Sequence, residues 1–183
     1  TTVVIASKND SPAKFAQLNL SNPHFRIYTS NDICGVEIGG AVKNIISIAA
    51  GIIDGMGFGD NTKGALLTRG IAEIIRLGKA LNADEKTFSG LSGIGDLITT
   101  AISPHSRNRY VGFELGKGKK LDDILHSMNM VAEGVNTTKA VWELKEKLNV
   151  SMPITDEIYK VLFFNKPPKQ ALTDLMTREL KDE

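Results

Sequence analysis

The pattern of apolar and polar residues divides the chain into a short α/β beginning and a long helical remainder. Residues 2–6 are β-branched and apolar, which is typical of a buried strand. A Ser-Pro pair, the usual N-cap and first-turn proline, then opens a helix over 11–20. A second, alternating strand is predicted over 25–29. Such a strand–helix–strand unit of about 30 residues is too small to fold by itself.

The longest apolar stretch, residues 36–54, predicts the helix around which the rest of the chain is organised. Within residues 38–53 the exceptions to apolar residues and glycine are Lys43, Asn44 and Ser47. At 3.6 residues per turn the apolar side chains cover most of the circumference, so the helix should be buried in a core. Its lysine then lies where an ammonium group is costly unless it is paired or faces a cavity.

Helical patterns continue to the end of the chain. A glycine-rich loop at 55–59 follows a helix rather than a strand and lacks a Gly-Lys-Ser/Thr ending, which favours a tight turn over a phosphate-binding loop. Further helices are predicted from Asp60 onward and over 95–100, 106–116, 121–128, 134–148, 153–163 and 169–175. We therefore predict a mainly α fold: residues 1–34 are the end of an α/β domain, and residues 35–183 form an all-helical domain.

Composition and charge exclude several classes of function. The net charge is +1, and no Lys/Arg run is interleaved with aromatic residues, so we expect no nucleic-acid partner. The single cysteine excludes an internal disulfide and is typical of a cytoplasmic protein. The histidines are too scattered for a metal-binding motif, and we expect no metal. The apolar run at 45–53 is too short to cross a membrane, so we expect no membrane insertion.

Two charged residues in apolar surroundings are candidates for chemistry, each with a structural alternative. Lys43 follows Gly39 and Gly40, whose missing side chains leave beside the amine the space that a small anionic or carbonyl ligand needs. The alternative is a lysine near a helix end that reaches solvent. Asp96 follows a Gly-Ile-Gly segment, and a buried carboxylate there would need a partner such as a lysine on a neighbouring helix. The alternative is that it caps the helix it opens.

Two predicted helix beginnings carry further polar candidates. Ser106 is a good N-cap, yet Arg107 and Arg109 follow in the first turn, where the helix dipole favours anions. Cations fit that position if helix N–H groups and guanidinium groups bind a phosphate together; the alternative is a pair of exposed, solubilising arginines. Glu133 opens another predicted helix, where it either caps the helix or hydrogen-bonds to a sugar hydroxyl or an amide.

These segments, in this order, resemble the bacterial NAD(P)-dependent glycerol-3-phosphate dehydrogenase family. The matching strings are VEIGGAVKNIISIAAGI, GDNTKGALLTRGIAEIIRLG, GLSGIGDLITT, SRNRYVGFELGKG and VAEGVNT. The opening strand–helix–strand resembles the last part of that family's nucleotide-binding Rossmann domain. The remainder resembles its all-helical substrate domain, of the type shared with 6-phosphogluconate dehydrogenase.

The resemblance implies a reaction, the reduction of dihydroxyacetone phosphate by NADH or NADPH to sn-glycerol 3-phosphate, a phospholipid precursor. The lysine of the family's GGAxKN motif falls on Lys43, which is then the catalytic acid/base, and as an ammonium it would stabilise the oxyanion formed at C2. The aspartate of the GxxDL motif falls on Asp96, which would orient that lysine. Substrate contacts are implied or expected for Lys43, Asn44, Asp96, Thr100, Ser106, Arg107 and Asn108, and cofactor contacts for Arg107, Val131 and Glu133.

One departure from the family pattern affects activity. The family's N-terminal GxGxxG, which holds the pyrophosphate, is absent from this sequence, as are its upstream lysine and Gly-Pro-Ser segment. We therefore expect this chain to be inactive alone, and the choice between NADH and NADPH stays open. We expect a homodimer, since apolar helical domains of this type often dimerise. Two alternatives remain: another dehydrogenase of the 6-phosphogluconate dehydrogenase superfamily, or a non-catalytic helical interaction module.

Overall fold

The computed structural model describes residues 1–128 and 130–179, so the last four residues of the predicted helical domain lie outside it. The chain forms β1 (Thr2–Ala6), α1 (Asp10–Leu20), β2 (Arg26–Ser30), α2 (Ile33–Gly55), α3 (Asp60–Ala80), α4 (Glu85–Phe88), a π-helical segment (Leu91–Gly95), α5 (Asp96–Ile102), α6 (Arg107–Gly116), α7 (Leu121–His126), α8 (Glu133–Lys147), α9 (Pro153–Phe163) and α10 (Pro168–Met176). The predicted mainly α fold behind a short β-α-β unit is confirmed.

The two strands pair in parallel, with Thr2 opposite Arg26, and α1 makes the crossover between them. The side chain of Gln17 on α1 donates to the carbonyl of Ile27 on β2 at 2.8 Å, which fixes the helix on the sheet. The expectation that the first strand is buried was wrong, because every residue of β1 is at least partly exposed. A two-stranded sheet has few neighbours to cover it.

Helix α2 is the central element, and it begins three residues before its predicted start. The Asp32 carboxylate is its N-cap and accepts the N–H of Gly35 at 2.8 Å. The same carboxylate accepts the N–H of Asp84 and the hydroxyl of Thr87, which joins α2 to α4. Burial would raise the pKa of Asp32, but these hydrogen bonds outweigh it and hold the pKa below its usual range. The predicted boundary between the α/β part and the helical domain, at residues 34 and 35, therefore lies within α2.

Glycine brings α2 and α6 into backbone contact. A Cβ on Gly51 would overlap the carbonyl oxygen of Arg109, and one on Gly112 would overlap the carbonyl oxygen of Ile48. The two helices run in the same direction, because Gly55, further along α2, meets the C-terminal end of α6. The N-terminus of α6 consequently lies beside the middle of α2.

Helix α2 is long and apolar enough to span a membrane by length and composition, with a mean hydropathy of 1.6 over 18 residues. The sequence-based expectation of no membrane insertion considered only residues 45–53, which are part of this longer apolar helix. That window is 67% buried within the protein, and a core helix meets the same criterion. Ile45, Ile46 and Ile48 have no exposed surface, as expected for the centre of a helical bundle.

Candidate active site

A cleft of about 300 Å³ opens where α2, α5, α6 and α8 meet. It is lined by Gly40, Lys43, Asn44, Thr100, His105, Ser106, Arg107, Asn108 and Glu133. Seven of the nine residues predicted for the site therefore line one cavity, although they come from four separate helices. Its volume is at the lower end of the range for ligand pockets, so it suits a small molecule.

Lys43 and Asp96 form an ion pair at the edge of this cleft. The lysine Nζ lies 2.5 Å from Asp96 Oδ2, and the two side chains are 18% and 37% exposed. The second carboxylate oxygen of Asp96 accepts the hydroxyl of Thr100 at 3.3 Å. Asp96 is the first residue of α5, but its side chain makes no capping hydrogen bond. Its carboxylate is only half-buried. It does not line the cleft itself, but it contacts the Lys43 ammonium from one side.

The π-helical segment before α5 brings Asp96 within reach of α2. A Cβ on Gly39 would overlap the carbonyl oxygen of Ser92, so glycine allows this segment to lie directly on α2. Within the segment, a Cβ on Gly93 would overlap the carbonyl oxygen of Phe88. Such π-helical turns are frequent at functional sites. The predicted helix at 95–100 thus begins four residues earlier in π-helical form.

The two arginines of the first turn of α6 point to different places. Ser106 is the N-cap and accepts the N–H of Arg109 at 3.2 Å, as predicted. Arg107 is exposed and lines the cleft. Arg109 instead pairs with Asp54, with Nε and a terminal nitrogen 2.8 and 2.6 Å from the same carboxylate oxygen. Within residues 1–128 and 130–179, no carboxylate lies within salt-bridge distance of Arg107, whose guanidinium suits an incoming anion.

Asn44 and Asn108 join three helices beneath the cleft. Asn108 Nδ2 donates to Asn44 Oδ1 at 2.9 Å, and Asn108 Oδ1 accepts the N–H of Gly134 at 2.9 Å. Each asparagine is 8% exposed. The expected substrate contacts of these two amides therefore compete with hydrogen bonds that fix α2, α6 and the start of α8 relative to one another.

Two of the three residues predicted to contact the cofactor, Val131 and Glu133, lie at or just before the start of α8. Glu133 is exposed, lines the cleft and makes no capping hydrogen bond to α8. Val131 is 65% exposed and Met130 is 63% exposed, and neither lines the cleft. Val131 and Met130 thus present exposed apolar side chains just before Glu133 in the chain.

Sequence reasoning missed His105, which lines the cleft between α5 and α6. The histidines were examined for metal-binding spacing, and this one has no such neighbours. Among the described residues, no group of three or more His, Cys, Asp or Glu side chains is arranged to hold a metal ion. The signal that could have identified His105 is its position directly before Ser106, the start of a predicted anion-binding segment.

The sequence model described as "NAD-dependent glycerol-3-phosphate dehydrogenase C-terminus" matches residues 32–173. The chain belongs to this family. The match covers α2 to α9 and most of α10, and every residue that lines the cleft lies inside it. The resemblance inferred from the sequence motifs is thereby confirmed.

Proteins named glycerol-3-phosphate dehydrogenase [NAD(P)+] are similar over the whole chain. The one from Prosthecochloris aestuarii is 60% identical over 183 residues, which are 100% of this chain and 55% of the relative. The one from Geobacillus kaustophilus is 57% identical over 184 residues, which are 100% of this chain and 54% of the relative. The chain thus spans about half the length of the curated relatives it matches.

Solved structures agree with the fold. The glycerol-3-phosphate dehydrogenase of Coxiella burnetii aligns with a TM-score of 0.94 at 37% identity, over 97% of this chain and 55% of that one. The enzyme of Plasmodium falciparum aligns with a TM-score of 0.89 at 26% identity, over 99% of this chain and 53% of that one. These two solved structures therefore share the overall arrangement of helices described above.

Proposed function

We propose that this chain is the substrate-binding and catalytic part of a glycerol-3-phosphate dehydrogenase, which reduces dihydroxyacetone phosphate to sn-glycerol 3-phosphate for phospholipid synthesis. One observation carries the proposal: the Lys43 ammonium, paired with Asp96, lines the same small cleft as the Arg107 guanidinium. Family membership and the names of the relatives support it. In this proposal residues 1–34 end a Rossmann domain, and residues 35–183 form the substrate domain.

The substrate phosphate binds at the start of α6. The Arg107 guanidinium donates paired hydrogen bonds to phosphate oxygens, which is the geometry that arginine provides for such groups. The Ser106 hydroxyl can donate to the same group while its oxygen caps the helix. Asn108 and Asn44 keep this turn in place and offer their remaining amide hydrogens to the substrate. The carbonyl end of a three-carbon phosphoester then extends along the cleft towards Lys43.

Lys43 acts on the carbonyl oxygen at C2. NADH or NADPH supplies a hydride to C2 when it is bound. The Lys43 ammonium donates a hydrogen bond to the carbonyl oxygen, stabilises the negative charge that develops there and transfers a proton to it. Asp96 orients the ammonium, and Thr100 holds the carboxylate in turn through its second oxygen. In the reverse direction Lys43 accepts the proton of the C2 hydroxyl.

Val131 and Glu133, on the α8 side of the cleft, would help to hold the cofactor. The exposed side chain of Val131 would contact its nicotinamide ring, and the Glu133 carboxylate would accept a hydrogen bond from an amide or hydroxyl group. Arg107 lines the same cleft as Glu133, and we propose that it contacts both ligands. Because the chain carries no GxGxxG motif, we propose that it is inactive alone.

We further propose that the protein acts in the cytoplasm as a homodimer without membrane insertion. The single, half-buried Cys34 suits a reducing compartment, and the burial of α2 explains its hydropathy without a membrane. A dimer is supported by the exposed apolar side chains of the π-helical segment and α5, at Leu91, Ile94, Ile98 and Ile102. Sedimentation equilibrium tests this proposal, and a monomer at all concentrations would contradict it.

A chimera tests the proposed reaction. Residues 1–183 replace the matching part of the Prosthecochloris aestuarii relative, and oxidation of NADH by dihydroxyacetone phosphate is measured. We expect turnover for the chimera and a loss of about 10²-fold or more in kcat for its Lys43→Ala variant, because the proton donor is removed. A Lys8→Ala variant, in the exposed turn after β1, should retain full activity.

Two outcomes would contradict this function. A chimera that folds without turnover would remove the support for the reaction. Full turnover in the Lys43→Ala variant would show that the ion pair with Asp96 contributes only to structure, as the non-catalytic interaction module predicts.

A further inference from the structure

We propose that His105 is a further phosphate-binding side chain, which contacts the substrate phosphate together with Ser106 and Arg107. The proposal rests on the proposed function, because it assigns a role within the same cleft. His105 lines that cleft from the loop between α5 and α6, whereas the other lining residues belong to helices or cap one.

The backbone that carries His105 is held in a tight turn. The N–H of Ser106 donates to the carbonyl of Ser103 at 3.2 Å, and the N–H of His105 donates to the Ser103 hydroxyl at 3.2 Å. Pro104 occupies the position of a β-turn at which proline is favoured, because its φ is already fixed. The imidazole is therefore presented to the cleft from a fixed backbone, which lowers the entropic cost of ordering it around a ligand.

The imidazole of His105 is available for a ligand. Among residues 1–128 and 130–179, no side chain or carbonyl accepts or donates a hydrogen bond at its ring nitrogens. His126 differs, since its Nδ1 lies 2.7 Å from the carbonyl oxygen of Asp122. A neutral imidazole has one N–H donor and a protonated one has two, and the terminal oxygens of a phosphate monoester accept both.

The charges around the cleft leave room for a further hydrogen-bond donor to the phosphate. Lys43 and Arg107 are positive there, while Asp96, paired with the lysine, and Glu133, on the wall formed by α8, are negative. The formal charges of these four groups cancel, although the proposed ligand is a dianion. An N–H group of His105 therefore supplies the phosphate with a hydrogen-bond donor in addition to those of Arg107 and Ser106.

Imidazole resonances of the 183-residue chain test the contact directly. The chain has three histidines, so a two-dimensional 15N–1H spectrum is assigned with a His105→Gln variant. On titration with sn-glycerol 3-phosphate we expect the ring signals of His105 to move, while those of His24 and His126 stay in place. Glycerol, which lacks the phosphate, should move none of them.

Calorimetry of the same chain with sn-glycerol 3-phosphate measures the effect on affinity. We expect about tenfold weaker binding for His105→Ala and a smaller loss for His105→Gln, which keeps an N–H donor. His126→Ala is the matched control and should bind as the wild type does. Circular dichroism of each variant checks the fold, which an exposed turn residue should not disturb.

The outcomes separate this inference from the proposed function. If sn-glycerol 3-phosphate binds, and Arg107→Ala weakens it, but the His105 signals stay fixed and His105→Ala binds normally, the role of His105 is refuted alone. If the wild-type chain does not bind sn-glycerol 3-phosphate, both proposals are refuted.

Discussion

Glycine serves opposite purposes at two places on α2. In the C-terminal half, Gly51 and Gly55 lie against the backbone of α6, which returns the contact through Gly112 and Gly116. In the N-terminal half, a Cβ on Gly40 would have no other atom within 4 Å, and the residue lines the cleft. The first arrangement removes space and the second preserves it. Substitution by alanine should therefore disturb folding at Gly51 or Gly55 and ligand binding at Gly40.

Charged groups show the same contrast between the packed side of the helical domain, where helices contact one another closely, and the cleft side, where space is left for a ligand. On the packed side, the carboxylate of Glu73 on α3 is 1% exposed and accepts three hydrogen bonds from the first turn of α9, from the N–H groups of Ile154 and Thr155 and the Thr155 hydroxyl. On the cleft side, Arg107 is exposed and faces the cavity. Satisfied polar groups stabilise the fold, whereas available ones bind ligands.

The largest effect is expected from Gly112→Ala on the packed side. The added methyl group would overlap the Ile48 carbonyl oxygen, and a backbone atom cannot move aside as a flexible side chain can. We expect the free energy of unfolding to fall by about 3 kcal/mol or more, measured by urea denaturation.

The matched control for Gly112→Ala is Gly64→Ala on α3. A Cβ at Gly64 meets open space, so the higher helix propensity of alanine should stabilise the protein by about 0.5–1 kcal/mol. Wild-type stability in Gly112→Ala would refute the close approach of α2 and α6.

The second prediction concerns Glu73, which should make the free energy of unfolding depend on pH. Burial raises the pKa of Glu73 from 4.5 to about 7, against the lowering effect of its hydrogen bonds to Ile154 and Thr155. As the pH rises from about 4.5 to 7, the unfolded chain loses this proton before the folded one does, so the folded state is progressively destabilised. The contribution amounts to about 3 kcal/mol across this range and is constant above it.

Urea denaturation of the wild type and Glu73→Gln at pH 5 and pH 8 measures this contribution. Between the two values, the stability of the wild type relative to the variant should fall by about 3 kcal/mol. Glu143→Gln, on the exposed surface of α8, reports the effect of removing a charge without disturbing a buried group. A difference between wild type and Glu73→Gln that does not change with pH would contradict the assignment.

The sequence predicted those parts of the fold that local signals determine. Helix α9 has the predicted bounds, because Pro153 marks its first turn and an apolar stripe follows. Ser106 was recognised as an N-cap from its residue type and position. The π-helical segment at 91–95 and the short helix α4 were missed, since the first is rich in glycine and the second has only four residues, so neither shows an apolar period. The π-helical segment lies on Gly39, and α4 is joined to Asp32 through Thr87, and both contacts span more than fifty residues of sequence.

The sequence predicted most of the residues that form the candidate site, but it did not predict which charged residues pair with one another. The sequence left open whether Asp96 caps its helix or pairs with a lysine, and the π-helical segment that decides this was not foreseen. Arg109 was grouped with Arg107 because the two share a turn, yet Asp54 draws it away from the cleft. Such choices depend on distances between helices, which apolar periodicity does not contain.

The smallest effect on stability is expected from Gly40→Ala, and it gives the most specific test of the difference between the two halves of α2. Its methyl group would project into open space, so we expect the free energy of unfolding to stay the same or rise by up to about 1 kcal/mol. The same methyl group narrows the cleft beside Lys43, and sn-glycerol 3-phosphate should bind several-fold more weakly in calorimetry.

The neighbouring variant Gly39→Ala should differ from Gly40→Ala in its stability. Its Cβ would overlap the carbonyl oxygen of Ser92, so the π-helical segment must move and carry Asp96 away from Lys43. We expect lower stability in urea together with weaker binding, whereas Gly40→Ala loses binding alone. If Gly40→Ala bound the ligand as the wild type does, the space beside this glycine would have no part in substrate binding, and both halves of α2 would serve packing only.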